Sequence, residues 1–319
     1  MYKPPFEITD QILTLVAEIS ESIGALNALM GEDMPHPMLR KQNRIKTIQS
    51  SLAIENNSLT IDQVTDIIDG KRILGNPNEI QEVKGAVNAY NLLPNINPVE
   101  EKELLVAHKL MMQGLINENG KYRSGGVGVF SESGCVHMAP PASMVPTLMS
   151  DLFGWIKTTT THPLISSCVF HYEFEFIHPF ADGNGRMGRL WQTALLTKWK
   201  PIFAWIPVEN IVKENQTQYY DVIAKCDSKG NSTSFIQFML SCIKQTIDTI
   251  KTPKETPKET PKDVIISLIR QNPKVTIQEM AEALGINKRN AQRHVNALTK
   301  EGIIEHVGAS RGGWWRLVE

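Results

Sequence analysis

Apolar residues recur along most of this chain at the three- and four-residue spacing of a helix that buries one face. Ile12, Leu15, Ile19, Ile23 and Leu26 form such a stripe over residues 8–28. Leu39, Ile45, Ile48 and Leu52 form another over about 38–56, where Asn56-Asn57 is a natural stop. Further amphipathic helices are predicted over 77–90, 104–111 and 143–157, with a buried, aromatic one over 170–177 and another over 186–197. The period changes once in this part of the chain. Residues 127–130 and 135–138 are short β-like runs flanking Ser131-Glu132-Ser133-Gly134, a hairpin in otherwise helical surroundings, closed by Pro140-Pro141.

Residues 251–262 carry a tandem Thr-Pro-Lys-Glu repeat with no apolar content, which predicts an extended spacer. A separate domain is expected over 263–319. It opens with a helix at 264–270, followed by 276–286 and 287–300, and then two strand-like runs at 303–307 and 314–317 bracketing a Gly-rich turn. Thr276 is a natural N-cap with Glu279 at the capping-box position, and Gly285 sits at the turn between helices. The fold class is therefore mainly α, with one small hairpin in the first domain and a second in the last.

Bulk composition narrows the function classes. At 319 residues, 41% hydrophobic and 21% charged, the chain is long enough for two domains, and its net charge of −1 argues against nucleic-acid binding over its whole length. It opens without a basic-then-apolar leader and has no apolar run near the roughly 18 residues that span a bilayer, so the expectation is a cytoplasmic protein with no membrane partner. Cys135, Cys168, Cys226 and Cys242 form no Cys-x-x-Cys pair, which predicts reduced thiols rather than a disulfide framework or a zinc site.

The densest chemistry lies in His178-Pro179-Phe180-Ala181-Asp182-Gly183-Asn184-Gly185-Arg186-Met187-Gly188-Arg189. Pro179 biases His178 out of the α region, placing an imidazole at a helix exit where it can accept a proton near neutral pH. Gly183 and Gly185 permit backbone dihedrals closed to other residues, so that N–H groups at a helix N-terminus can converge on an anion. Asp182 is a hard oxygen ligand suited to a Mg²⁺ that keeps most of its waters. Arg186 and Arg189, at i and i+3, share a helix face and can fork onto phosphoryl oxygens.

This string resembles the Fic domain pattern His-x-Phe-x-Asp-Gly-Asn-Gly-Arg-x-x-Arg without a departure. The resemblance implies an all-helical Fic core over 101–250 and transfer of AMP from ATP to a Ser, Thr or Tyr hydroxyl of a target protein. It implies His178 as general base, Asp182 as the Mg²⁺ ligand, and ATP binding along Asp182, Gly183, Asn184, Gly185, Arg186, Met187, Gly188 and Arg189. Tyr219 and Tyr220 look like the family's nucleoside contacts, and Val136, His137 and Met138 like the flap that docks the target segment by β-augmentation. Ser51-x-x-x-Glu55-Asn56, within the N-terminal helical region 1–100, is similar to the family's inhibitory-helix motif. It implies that Glu55 pairs with Arg189 and blocks productive ATP binding. His108 reads as a packing or capping residue. Three alternatives stay open: transfer of another phosphorylated group, removal of AMP by means of Glu55, and a DNA-binding regulator whose Fic domain senses nucleotide.

The domain at 263–319 resembles a bacterial winged helix. Lys288, Arg289 and Arg293 on its third helix and Arg311 in its wing are suitable DNA contacts, although winged helices also dock proteins, so a DNA or protein partner is expected there. A homodimer is among the assemblies open to the chain.

Overall fold

The computed structural model describes residues 2–30, 37–131, 134–251, 261–284, 286–308 and 313–317. The chain divides into two compact units, 1–251 and 252–319. The first begins with α1 (Asp10–Met30), α2 (Pro37–Ile54), α3 (Ile61–Ile68), α4 (Pro77–Tyr90) and α5 (Glu101–Met111). Strands β1 (Gly128–Ser131) and β2 (Gly134–Met138) then pair antiparallel, with the register shifting between Val129 and Phe130. Helices α6 (Val145–Thr158), α7 (Pro163–Ile177), α8 (Asn184–Trp199), α9 (Val208–Glu214), α10 (Gln216–Lys229) and α11 (Thr233–Lys251) complete the unit.

Helices α7 and α8 form its centre. Most α7 side chains are buried, with Leu164, Cys168, Phe170 and Phe174 inaccessible to solvent, and α8 packs against it through Met187, Leu190, Trp191 and Ala194. A helix buried nearly all round has no polar face to spare, so the loop joining these two is held rigidly at both ends. Truncating a side chain such as Phe174 to Ala would cost about 3–5 kcal/mol. Helix α2 lies against α4, α8 and α9, with Ile45, Ile48 and Leu52 facing inward.

Helices α3, α9 and α10 fall where the periodicity predicts none. Helix α3 spans only eight residues, and its signal is a capping box in which Thr60 accepts from Gln63 N–H and Gln63 bonds back to Thr60. Cys168, Cys226 and Cys242 are free thiols, whereas the Cys135 side chain falls outside the described residues. No helix among the described residues is long and apolar enough to cross a membrane.

The second unit contains α12 (Pro261–Gln271), α13 (Ile277–Ala283), α14 (Lys288–Lys300) and an antiparallel pair, β3 (Ile304–Val307) and β4 (Trp314–Leu317). Helix α12 starts at Pro261, earlier than the repeat composition suggests, because proline's fixed φ and missing N–H are tolerated in the first turn. Ile265, Ile269, Met280, Val295, Leu298 and Ile304 make a small separate core. Thr276 and Glu279 form the expected capping box, and Gly285 and Arg311 lie outside the described residues.

Candidate active site

His178 closes α7 in the left-handed region, φ 50° and ψ 60°, a conformation that costs a non-glycine residue about 1–3 kcal/mol and is kept only where the surroundings over-determine it. They do so here. His178 N–H donates to the Phe174 carbonyl at 2.9 Å, and the buried Arg123 donates from Nε to the His178 carbonyl at 2.8 Å. Arg123 also donates its backbone N–H to the Pro179 carbonyl and its guanidinium to the Gly125 and Pro140 carbonyls, on either side of the β1–β2 hairpin. His178 Nδ1 faces the Glu175 carbonyl at 3.3 Å, so it must carry the proton, which leaves the accepting lone pair on Nε2.

The loop after His178 is braced from within. The Asn184 side chain accepts from Phe180 N–H and donates to the Phe180 carbonyl, both at 2.9 Å, which leaves its backbone N–H as its group for an anion. His108 stacks on Phe180 with ring centroids 3.6 Å apart and bonds the Asp182 carbonyl through Nε2 at 3.0 Å. Because Gly120 N–H donates to His108 Nδ1 at 2.8 Å, the ring is the neutral Nε2–H tautomer. Burial holds its pKa down to about 4. His108 is thus a packing residue that also positions the loop.

At the start of α8, Gly183 has φ 84° and serves as the N-cap, and a Cβ there would press on Met112 Sδ. Gly185 differs from expectation. Its φ is not positive; a Cβ would meet the Glu55 carboxylate and Arg189 Nη1, so the absent side chain provides room rather than backbone freedom. The N–H groups of Asn184, Gly185 and Arg186 precede the first i→i−4 bond of α8, from Met187 to Gly183, and they form the helix's anion-facing end. Asp182 Oδ1 accepts from Gly183 N–H, and the side chain is 57% exposed.

The two arginines separate. Arg186, buried, pairs with Asp182 Oδ1 at 3.0 Å and with Glu82 Oε1 at 3.2 Å. Arg189, also buried, donates from Nε to Ser51 Oγ at 3.1 Å and from Nη2 to the Ser51 carbonyl at 2.9 Å and to Glu55 Oε1 at 2.8 Å. Burial alone would loosen the Arg189 proton, but the Glu55 charge outweighs it and raises the pKa. Glu55 sits one residue past α2 and is 32% exposed. Asn56 turns the chain at φ 67°, and the Ile54 carbonyl accepts from Gln216 Nε2 at 2.8 Å and from Tyr220 at 3.5 Å. Asn57 Nδ2 donates to Glu82 Oε2 at 2.8 Å, so the turn that presents Glu55 reaches Arg186 as well.

The remaining predicted residues distribute unevenly. Tyr219 is 1% exposed and bonds His171 Nε2 at 3.1 Å within the core, while Tyr220 is 40% exposed beside the end of α2. Met187 faces the core, and Gly188 lets α8 approach Glu175 and His171 closely. Residues Val136, His137 and Met138 form the backbone of β2, which lies near α10; their side chains lie outside the described residues. Four site residues had no signal of their own in the sequence: Arg123, Glu82, His108 as a loop brace, and Glu175. Burial works against the Glu175 charge, yet His171, His178 and Arg189 together hold its carboxyl below the ordinary range.

Among the described residues no group of three or more His, Cys, Asp or Glu side chains is arranged to hold a metal. One exposed carboxylate, Asp182, fits a Mg²⁺ coordinated mainly by water and phosphate oxygens and does not fit a cation caged by protein.

Comparison with known proteins adds two matched regions. The Fic/DOC family model covers residues 98–196, and a winged helix-turn-helix DNA-binding model covers 264–305. A crystal structure of a Fic family protein from Desulfovibrio desulfuricans G20 is 46% identical, with a TM-score of 0.77, covering 99% of this chain and 98% of that one. A Fic domain-containing signaling protein from Bacteroides thetaiotaomicron VPI-5482, at 19% identity and TM-score 0.59, shares the fold. The protein adenylyltransferase Fic of Culex quinquefasciatus is 30% identical over 237 residues, 70% of this chain and 45% of that protein. The chain thus spans less than half the length of that curated relative.

Proposed function

Because the chain belongs to the Fic family and carries a winged helix-turn-helix domain behind its Fic core, we propose that it is a protein adenylyltransferase restrained by its own Glu55. The observation that carries this reading is the end of α8. Its unpaired N–H groups and two buried guanidiniums make an anion site beside His178, and the Glu55 carboxylate lies on Arg189. The name protein adenylyltransferase Fic, borne by relatives of about 30% identity, supports AMP as the transferred group.

In this mechanism the phosphates of ATP lie over the α8 N-terminus, with Arg186 and Arg189 on the β/γ end. The target hydroxyl stands against His178 Nε2. Its oxygen bonds to the α-phosphorus as the bond from that phosphorus to the α,β-bridging oxygen breaks, the proton passes to Nε2, and pyrophosphate leaves. Arg123 and the Glu175 carbonyl fix the position and tautomer of the imidazole throughout. Asp182 would hold Mg²⁺, which supplies charge neutralisation to the phosphates. Most of the barrier is lowered by positioning and by charge, which is why a carboxylate on Arg189 suffices as a brake.

The test incubates wild type, Glu55→Gly and Glu55→Gly/His178→Ala with α-phosphate-labelled ATP and Mg²⁺, and scores label on the protein and on lysate proteins. Label should appear in the single variant and fall by about 10²–10⁴-fold when the base is removed. Absence of label in every lane, with ATP binding intact, would overturn the reading. For the winged helix we propose duplex DNA as partner: Lys288, Arg289 and Arg293 are exposed on α14 while Ala291, Val295 and Leu298 face its core. Gel-shift affinity should fall as salt rises; salt-independent or absent binding would favour protein docking.

A further inference from the structure

A second cationic site lies on α2, well before Ser51. Arg40, Lys41, Arg44, Asn91, Pro94 and Trp205 line an open pocket of about 340 Å³, within the size range of small-ligand sites. The Arg40 and Arg44 guanidiniums stack on the Trp205 ring, 5.5 and 5.1 Å from its centroid, which holds two long side chains at one place. Like charges gathered this way repel, and nothing in the first core requires them to meet.

The donors are undersatisfied. Arg40 Nε, Arg44 Nε and Trp205 Nε1 are buried and have no hydrogen-bond partner. Arg44 spends Nη1 on the Tyr90 carbonyl at 2.7 Å, which caps the end of α4. Lys41 is the one cation of the three with a carboxylate partner among the described residues, Asp69 at 2.5 Å. Burial lowers the Arg44 pKa, as expected of a cation whose charge is incompletely answered. Native proteins leave few buried donors unpaired, so these three set the site apart, and the guanidinium ends of Arg40 and Arg44 line the pocket without a carboxylate partner among the described residues.

We infer that the Arg40–Lys41–Arg44–Trp205 pocket binds a compact anion of the phosphate type. Guanidinium forks match tetrahedral oxyanions, and the Trp205 ring already carries both guanidiniums, which disfavours stacking of a nucleobase. Arg44 and Glu55 are eleven residues apart, or about 16 Å along a helix axis at 1.5 Å per residue, so this site is separate from the α8 N-terminus.

The test follows indole N–H resonances of the full-length protein during titration with inorganic phosphate, against potassium chloride at matched ionic strength. Loss of one peak in Trp205→Phe assigns the reporter. Phosphate should shift that peak saturably, pyrophosphate should do so at lower concentration, and Arg40→Gln/Arg44→Gln should weaken the response at least about tenfold. The Trp191 indole, which donates to the Pro98 carbonyl at 2.9 Å, should stay in place in the double variant and so report an intact core. If the Trp205 peak follows the chloride curve, or if the double variant responds like wild type, the site is not there. If adenosine monophosphate binds there tenfold more tightly than phosphate, the compact-anion assignment falls.

Discussion

Arg186 and Arg189 stand three residues apart on α8, both buried, yet they are held by different means. Arg186 is answered by Asp182 from its own loop and by Glu82 from α4. Arg189 is answered by Ser51 and Glu55 from the end of α2, more than 130 positions earlier in sequence. A locally paired arginine keeps its partner as long as the loop keeps its shape. An arginine paired across the fold can be released by moving one helix end, and that end rests on side-chain contacts from Gln216, Tyr220 and Asn57. Arg186 thus keeps one partner from its own loop, whereas the Ser51 and Glu55 partners of Arg189 both come from the end of α2.

The largest expected effect is in the transfer assay. Glu55→Gly should raise AMP transfer by at least on the order of 10²-fold, since an anchor misplaced by about 1 Å can cost that much rate. Glu82→Gln, which removes the charge facing Arg186, should leave the restraint in place; activation by both variants alike would erase the distinction.

The loop end can be tested separately through acid. His108 is held neutral in the folded state with a pKa of about 4, against about 6.5 unfolded. Between these values the unfolded chain binds the extra proton, so stability is full above pH 6.5 and is lost as pH falls toward 4. The loss is up to about 3 kcal/mol at 1.36 kcal/mol per pH unit. Urea melts across this range should show it for wild type and a flatter profile for His108→Gln; identical profiles would refute the role of the ring.

Ser51→Ala should cost about 1–3 kcal/mol, because it leaves Arg189 Nε buried without its acceptor. The cost should shrink in an Arg189→Met background, and an unchanged value there would show that Ser51 acts elsewhere. The smallest effect belongs to the second unit. Arg289→Ala should lower the salt slope of duplex binding by about one and weaken it on any sequence.

Much of this was legible in the chain. The string from His178 to Arg189 carries its chemistry within twelve residues, where one loop and one helix turn decide the geometry. The hairpin, the principal helices and the Thr276–Glu279 cap follow from periodicity and local hydrogen bonding. Short helices such as α3 give too few turns for a stripe to register, and the longer α10 buries only Tyr219 and Cys226, too sparse a stripe to read. Gly185 was legible as glycine but not for its reason, since crowding by Glu55 arises from another helix. Tyr219 and Tyr220 are adjacent in sequence and opposite in burial, a difference set by which face of α10 meets the core.

Most helices, the family and the string from His178 to Arg189 could be read from the chain, because each depends on residues close together along it. Long-range packing sets the rest: Arg123 clamps His178, His108 braces the Asp182 carbonyl, and α2 brings Arg40, Lys41 and Arg44 to an open pocket beside Trp205. Those pairings join residues tens of positions apart, and no local pattern specifies them. They follow from which helix faces the apolar stripes bring together.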